Sequence, residues 1–363
     1  MLKNGAPTYF GIKIFAQVVI MKVTLEQIAE KAGVSQATAS NCLSGRGRAA
    51  EQTRLRVLEV AQELGYQKLP RSSSAPTAES VALLLSIDKE WAFGWTFILP
   101  IIQELESTLV AAGRRLVLVP IRKDEKELEM YRKIMDIGPA AVVALHYGDS
   151  TLFVRLEWEE IPVIVVMNNE FQNAFYSVCV DDYHGAYEGT SYLIELGHRR
   201  IGFVGCEREQ LHVLRTDRYL GFRKAQQVSR IDGDSDLVID VDPENDEEVR
   251  GSLERLFARE EPPTALFCLD DDLALRVMRG LEMLGIRVPA DVSIIAPGDV
   301  HDQEAPTPGQ KITTMRINTK LLGKTAGEMV LSRLKGATTT MHVAKINQHF
   351  VDRGSCTVPK DGV

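Results

Sequence analysis

The chain has 363 residues, of which 45% are hydrophobic and 25% are charged, and its formal net charge is −8. This length exceeds that of one small domain and predicts two or three domains of ordinary globular composition. No apolar run approaches the ~18 residues that a membrane-spanning helix needs. We therefore expect a cytoplasmic protein without a membrane partner.

Residues 1–20 do not have the features of a signal peptide. Residues 12–20 are weakly apolar, are interrupted by Lys13 and Gln17, and lack a small-residue cleavage site. Met21 stands just before the first helix start signal. We therefore expect residues 1–20 to be a disordered extension or the product of a wrongly assigned start.

The cysteine and histidine patterns favour neither a disulfide framework nor a metal site. The seven histidines show no H-E-x-x-H or comparable ligand spacing. The five cysteines lack C-x-x-C spacing, which is typical of reduced, buried thiols in a cytosolic protein. We expect no metal and no cofactor. The cysteines lie at positions 42, 179, 206, 268 and 356.

Residues 24–43 predict two helices that are separated by one glycine. Thr24 and Gln27 have the spacing of a capping box, and Gly33 can end the first helix in the left-handed conformation. Ser35 can cap a second helix with a polar outer face. This is the helix-turn-helix pattern, whose second helix fits the major groove of DNA. An ordinary helical hairpin is the alternative.

A third predicted helix and the charge distribution support a DNA-binding domain. Residues 51–64 place apolar side chains on one stripe and are followed by Gly65. Residues 22–71 carry eight basic and five acidic side chains, although the whole chain is acidic. A basic head on an acidic body favours orientation toward DNA phosphates. We assign residues 22–66 to this domain.

Residues 67–80 predict a linker, because two prolines and four serines oppose regular structure. The body, residues 81–363, alternates apolar strands with helices, which predicts parallel sheets covered on both faces. It is long enough for two doubly wound halves, whose strand ends would face a shared cleft. The predicted strands cover 81–87, 115–120, 140–145, 162–167, 200–204, 264–269 and 292–296, and the predicted helices cover 99–112, 126–135, 183–196, 217–228 and 272–284.

Several motifs carry a family resemblance. The run from Val23 to Gly45, followed by Thr53-Arg-Leu-Arg-Val-Leu58 and Glu63-Leu-Gly-Tyr66, resembles the headpiece of the lactose-repressor/galactose-repressor family of bacterial regulators. In the body, Leu196-Gly-His-Arg-Arg-Ile-Gly-Phe-Val204 and Arg218-Tyr-Leu-Gly-Phe222 resemble the same family. Weaker matches bring the coverage to residues 22–358, and they lie at 263–271, 288–295, 313–316 and 353–355.

The resemblance implies a fold and a function. The fold is a small all-α helix-turn-helix headpiece plus an α/β periplasmic-binding-protein-like body of two doubly wound subdomains. The chain would cross between the subdomains near 180 and over 312–340, and residues 81–363 would bind the effector and dimerise. The implied function is a sequence-specific transcriptional repressor. It would be a homodimer that binds a palindromic double-stranded DNA operator and responds to a small molecule in the cleft.

The resemblance implies DNA contacts at the headpiece positions that match the family. The alternative is that these residues form an ordinary solvent-exposed helix face. Hydroxyl groups suit phosphate contacts, and side chains of the second helix would read base edges. Asn41 departs from the arginine or histidine common in the family, and asparagine pairs with adenine rather than guanine. The expected DNA-binding residues are Thr24, Ser35, Gln36, Ala37, Thr38, Ser40, Asn41, Arg46 and Arg48.

The linker departs from the family in a way that bears on regulation. The family usually has a hinge helix here, whose leucine wedges into the minor groove. Leu69 is the corresponding candidate, but Pro70 and the serines that follow oppose a helix. We therefore expect weaker DNA bending than in relatives, and whether residues 67–80 form a helix on DNA stays open.

The effector candidates come from predicted strand ends. Three aromatic side chains after the first body strand could stack on a sugar, or could pack in the core or at a dimer contact. Arg218 matches a position that holds the ligand in the family, with an ion pair to Asp217 or a neighbour as the alternative. Gly298 stands where the resemblance implies a ligand-facing carboxylate, so that Asp299 is the carboxylate that remains at this strand end. The expected effector-binding residues are Asp88, Trp91, Phe93, Trp95, Arg218, Asp271 and Asp299.

Two other classes of protein share the predicted body fold. One is a solute-binding-protein-like sensor without ligand-switched DNA binding. The other is an enzyme, but the sequence shows no G-x-S-x-G motif, Walker loop or metal cluster, so we expect no catalytic residues. The aromatic segment favours a carbohydrate over a purine as the effector.

Overall fold

A computed structural model describes residues 25–36, 38–39, 53, 56–57, 60, 79–86, 95–122, 124–206, 212–299, 311–336 and 343–360. The chain divides into two compact units, Met1–Ser74 and Ala75–Val363. The predicted extension over 1–20 and most of the predicted linker lie outside the described residues. Within the described residues, no helix has the length and apolar character needed to cross a membrane.

The first unit contains the predicted helix–glycine–helix arrangement. Helix α1, Leu25–Ala32, ends at Gly33, which has a φ of 66°. The amide of Val34 donates to the carbonyl of Ala29 across this turn (2.9 Å). Ser35 then caps the next helical turn, because its Oγ accepts a hydrogen bond from the amide of Thr38 at 3.1 Å. The helix-turn-helix fold predicted from the sequence is therefore confirmed.

Two six-stranded sheets form the second unit. The first sheet has the strand order β11-β5-β4-β3-β1-β2, and its adjacent strands are all parallel. Helix α9 packs on helix α2 against this sheet. Its elements are β1 Ser80–Ser86, α2 Trp95–Ala111, β2 Arg115–Ile121, α3 Glu127–Ile137, β3 Ala141–Leu145, α4 Ser150–Trp158, β4 Val163–Val166, β5 Tyr176–Val180, α9 Thr319–Leu334 and β11 Val343–Ile346.

The second sheet has the strand order β12-β10-β9-β8-β6-β7, and only its edge strand β12 is antiparallel to its neighbour. Helices α5 and α6 pack against each other beside it. Its elements are α5 Asp182–Glu195, β6 Ile201–Gly205, α6 His212–Val228, β7 Val238–Asp240, α7 Asp246–Phe257, β8 Ala265–Cys268, α8 Asp271–Met283, β9 Ser293–Gly298, β10 Thr313–Arg316 and β12 His349–Val351. The predicted fold class of two doubly wound halves is confirmed.

The chain passes three times between the two halves. It leaves the first sheet after β5, returns after β10 through residues 317–318, and passes again through residues 347–348 between β11 and β12. The sequence does not predict this last passage, because β11 and β12 are short and only partly buried. Neither half is therefore one continuous segment.

Glycine allows helices α5 and α6 to approach closely. A Cβ atom on Gly221 of α6 would overlap the carbonyl oxygen of Tyr183 and press on the side chain of Ala186. This contact gives a physical reason for the glycine in the Arg218-Tyr-Leu-Gly-Phe222 motif. Phe222 packs beside it and is buried in the core.

His198 links the C-terminal segment to the second sheet through hydrogen bonds of its imidazole ring. Its Nε2 lies 2.9 Å from the carbonyl oxygen of Thr357, and its Nδ1 lies 2.9 Å from Oγ1 of Thr264. Because a carbonyl only accepts, the neutral ring carries its hydrogen on Nε2. Burial of the ring lowers the pKa of His198 below its usual value. The imidazole is therefore held in its neutral form.

The stability contributed by His198 should depend on pH. The unfolded chain binds a proton at this site more readily than the folded chain, so protonation favours unfolding. The contribution is complete above the ordinary histidine pKa of 6.5 and is lost as pH falls through the lower folded-state value. We expect the difference in unfolding free energy between the parent and H198Q to shrink from about pH 8 to about pH 5.5 in urea titrations. The H349Q variant, which replaces an exposed histidine, provides a control, because its unfolding free energy should depend on pH as that of the parent does. A difference between the parent and H198Q that does not change with pH would contradict the interpretation.

Candidate functional site

The described part of the headpiece presents polar groups at the start of its second helix. Ser35 and Gln36 are exposed and Thr38 is half-buried. The hydroxyl oxygens of Ser35 and Thr38 lie 2.8 Å apart. These groups are available at a helix N-terminus, which suits contact with phosphate. The other predicted DNA-binding residues lie outside the described residues, namely Thr24, Ala37, Ser40, Asn41, Arg46 and Arg48.

In the body, unusual backbone conformations mark the carboxyl ends of strands. His146 follows β3 with a φ of 51°, and Met167 follows β4 with a φ of 60°. In the second sheet, Asp299 follows β9 with a φ of 85°. Non-glycine residues with positive φ are uncommon and cluster at functional sites. Sequence reasoning missed His146 and Met167, because a left-handed backbone at a strand end leaves no composition signal in these residue types.

A direct hydrogen bond joins the two strand-end regions. Nδ2 of Asn169, in the short turn after β4, donates to Oδ2 of Asp217 on α6 at 2.7 Å. This bond joins the first half of the body to the second. The carboxyl ends of parallel strands are where open α/β sheets bind ligands. Polar side chains of both halves therefore meet in the region where the sequence predicts the effector site.

Arg218 is buried and is already paired within the protein. Its side chain is 1% exposed, and its Nε and Nη2 lie 2.8 and 2.7 Å from Oδ1 of Asp182. Its Nη1 donates to the carbonyl of Leu269, which follows β8. The sequence left open an ion pair with Asp217 or a neighbour, and the structure forms it with Asp182. This placement departs from the direct effector contact predicted for Arg218.

Asp182 is the centre of a buried network. Its Oδ1 also accepts from Nε2 of Gln348 at 3.2 Å, and Gln348 lies in the passage between β11 and β12. Burial raises the pKa of Asp182, while the Arg218 guanidinium opposes that shift. The network thus joins the first passage between the halves to the last one. Sequence reasoning missed both Asp182 and Gln348 as site residues.

Asp299 and Asp271 also bond within the protein. The Asp299 carboxylate is 0% exposed and pairs with Arg316 and Arg353. Its backbone amide donates to Oδ2 of Asp271 at 2.9 Å. Two guanidinium groups therefore surround the carboxylate that the sequence predicts to face the ligand.

Gly298 is required by the position of Asp271. Gly298 has a φ of 141°, and a Cβ atom there would overlap the Asp271 carboxylate. Asp271 thus fills the space that a side chain at position 298 would need. Asp270 caps α8 by accepting from the amide of Leu273 at 2.8 Å, as expected for a strand–helix junction.

The aromatic candidates are only partly described. Asp88, Trp91 and Phe93 lie outside the described residues, and Trp95 is 59% exposed at the first position of α2. A second aromatic group, which sequence reasoning missed, lies beside the ends of β3 and β4. Its ring pairs have centroids 5.3–6.1 Å apart, and its members are Tyr147, Phe153, Phe171 and Phe175. Within the part of the chain that the structure describes, no group of three or more potential ligands could hold a metal ion.

A helix-turn-helix headpiece and a body of two parallel-rich sheets together define a DNA-binding regulator with a ligand-binding body. Residues 24–68 match the model of bacterial regulatory proteins of the lacI family, and residues 190–356 match the periplasmic binding protein-like domain. The chain is 28% identical over 338 residues to the HTH-type transcriptional repressor PurR of Pectobacterium atrosepticum, covering 92% of this chain and 96% of the relative.

Solved structures agree with this assignment. A complex of the transcriptional regulator CelR with cellobiose has a TM-score of 0.66 and 25% identity, covering 92% of this chain and 99% of that one. The lac repressor dimer bound to operator and the anti-inducer ONPF has a TM-score of 0.64 and 19% identity, with the same coverages, and supports the fold. The chain thus combines a DNA-binding domain of the lacI family with a periplasmic binding protein-like domain. Its relatives regulate transcription and are not enzymes.

Proposed function

We propose that this regulator is a cytoplasmic homodimeric repressor whose affinity for its operator is set by a carbohydrate bound between the two halves of its body. The observation that carries the proposal is the Asn169–Asp217 bond, which brings together the strand ends of both sheets. A ligand bound here would contact both halves and would favour one relative arrangement over another. The similarity to a cellobiose-binding regulator supports a sugar, and the similarity to repressors supports the sign of regulation.

The proposed effector site combines residues predicted from the sequence with residues found at the strand ends. His146 and Met167 contribute from the first sheet, with Asp271 from the second. The predicted aromatic segment, with Asp88, Trp91, Phe93 and Trp95, would add a surface for stacking on a sugar ring. Burial lowers the pKa of His146, which favours its neutral ring.

The proposed DNA site is the second helix of the headpiece and the segment after it. The exposure of Ser35 and Gln36 supports contact there. In this proposal, phosphate contacts come from hydroxyl and arginine side chains, and base contacts come from the helix face. The proposed set is Thr24, Ser35, Gln36, Ala37, Thr38, Ser40, Asn41, Arg46 and Arg48.

Asn41 should select adenine at one position of each half-site. Asparagine pairs with adenine N6 and N7, whereas arginine pairs with guanine O6 and N7, and each pairing discriminates by about 1–3 kcal/mol. We expect N41R to change the preferred base from adenine to guanine at that position alone. Sequencing of DNA selected from a random pool by both proteins would measure the change. An unaltered preference would exclude Asn41 from base reading.

An apolar surface on the first half of the body supports dimerisation. Strand β2 is the edge of the first sheet, and Leu118 on it is 50% exposed. On the adjacent helix α2, Trp95, Leu99 and Val110 are also exposed. Contiguous exposed apolar patches mark protein interfaces. A second copy of the chain would cover this surface and place two headpieces on one palindromic operator.

The decisive experiment is selection of bound DNA, repeated with and without a panel of sugars. We expect enrichment of a palindromic site whose retention changes with one sugar. Failure to enrich any site would contradict the operator proposal. A sugar that raises the melting temperature of the body without altering DNA retention would favour the alternative, a sensor without ligand-switched DNA binding.

A further inference from the structure

We infer that Asp182 sets the charge of the effector: it already occupies the guanidinium edge of Arg218, so the cleft selects an uncharged ligand and rejects sugar phosphates and carboxylates. This inference rests on the proposed effector site and identifies the chemical class that the site accepts.

The first step is the state of Arg218. Anion recognition by arginine uses two parallel N–H donors toward two oxygens. Here Nε and Nη2 form that edge, and both lie within hydrogen-bond distance of Oδ1 of Asp182. Nη1 donates to the Leu269 carbonyl, and the side chain is 1% exposed. An anionic ligand would therefore have to displace Asp182.

The second step is that Asp182 is held in place. It is the first residue of α5, its side chain is 4% exposed, and Gln348 bonds to the same carboxylate oxygen. The Gln348 side chain packs directly on Gly185, where a Cβ atom would overlap it. Removing Arg218 from Asp182 would leave a buried carboxylate without its cation, which is strongly unfavourable. Asp182 is thus a competing anion that a ligand cannot easily replace.

The third step concerns the other charges at these strand ends. Arg316 and Arg353 both pair with Asp299, at the end of β9. Asp217 and Asp271 add negative charge from α6 and α8 without adding a cation. Arg218, Arg316 and Arg353 are thus each engaged by a carboxylate. These carboxylates disfavour a nearby anion, whereas hydroxyl groups of a neutral sugar carry no such cost.

The test uses the intact protein and inorganic phosphate as the anion probe. Thermal unfolding midpoints and titration calorimetry are recorded against phosphate at constant ionic strength, balanced with chloride. The variants are D182N and D182S, which remove the competing charge, and E195Q, which removes an exposed charge at the opposite end of α5. R218Q and the double variant D182N/R218Q remove the proposed anion-binding group from the parent and from D182N.

We expect no saturable response to phosphate from the parent or from E195Q. D182N and D182S should bind phosphate at least about 10-fold more tightly than the parent, and D182N/R218Q should lose that gain. Saturable binding by the parent that R218Q abolishes would overturn the inference, as would folded D182N and D182S without a response. The parent measurement decides the question even where a variant does not fold. Operator binding is recorded separately, so a failure to bind DNA would count against the proposed function and leave the phosphate result intact.

Discussion

Replacing Arg218 with alanine should lower the free energy of unfolding of the body by about 3–5 kcal/mol, because it leaves a buried carboxylate without its cation. Asp182 would keep only the amide of Gln348 as a side-chain partner among the hydrogen bonds described above. Urea unfolding followed by circular dichroism would measure the loss.

The matched control for R218A is R276A. Arg276 on α8 pairs with Asp246 at 3.4 Å, and the Asp246 side chain is 82% exposed. Exposed ion pairs contribute about 0–1 kcal/mol, so this variant should unfold close to the parent. Equal losses in the two variants would show that burial of the Asp182–Arg218 pair has no special effect on stability.

Replacing Gly221 with alanine should destabilise the body by about 1–3 kcal/mol, since overpacking strains a close helix contact. The usual effect of this change inside a helix has the opposite sign, because glycine is about 0.5–1 kcal/mol less favourable than alanine. The reversal follows from the Tyr183 carbonyl, which occupies the space that the new methyl group needs.

Gly251 provides the contrasting variant. It lies within α7, and a Cβ atom at this position would have Nη1 of Arg255 as its nearest neighbour, at 3.6 Å. We expect G251A to stabilise the protein by about 0.5–1 kcal/mol. Thermal unfolding of both variants checks the pair of expectations, and stabilisation by G221A would refute the close-approach interpretation.

Much of the fold could be predicted because buried parallel strands are continuous apolar runs. Strand β3, Ala141–Leu145, is buried at every position and is evident in the sequence. Strand β7, Val238–Asp240, spans three half-buried residues and provides no comparable pattern. Helix α7 was also missed, although Asn245 caps it and buried residues recur at helical spacing in Val249, Leu253 and Leu256. That signal was available in the sequence.

The candidate site was harder to predict because its bonds join distant parts of the chain. The Arg218-Tyr-Leu-Gly-Phe222 motif indicates a site residue, but nothing near it identifies Asp182 as the partner 36 residues away. Gln348 lies 166 residues from Asp182 and reaches it only because the chain returns through the last passage. The sequence therefore indicates which side chains can form hydrogen bonds and ion pairs, but only the fold shows which of them bond to each other.

The three passages between the halves also set the order in which the body can be completed during synthesis. The second sheet takes five of its six strands from the continuous segment between β6 and β10. The first sheet begins earlier in the chain, yet it needs α9 and β11, which are made after that segment. Domains fold during translation as their elements become available. The first half therefore cannot be completed until most of the second sheet has been synthesised, and α2 must wait for about 200 residues of chain before α9 can cover it.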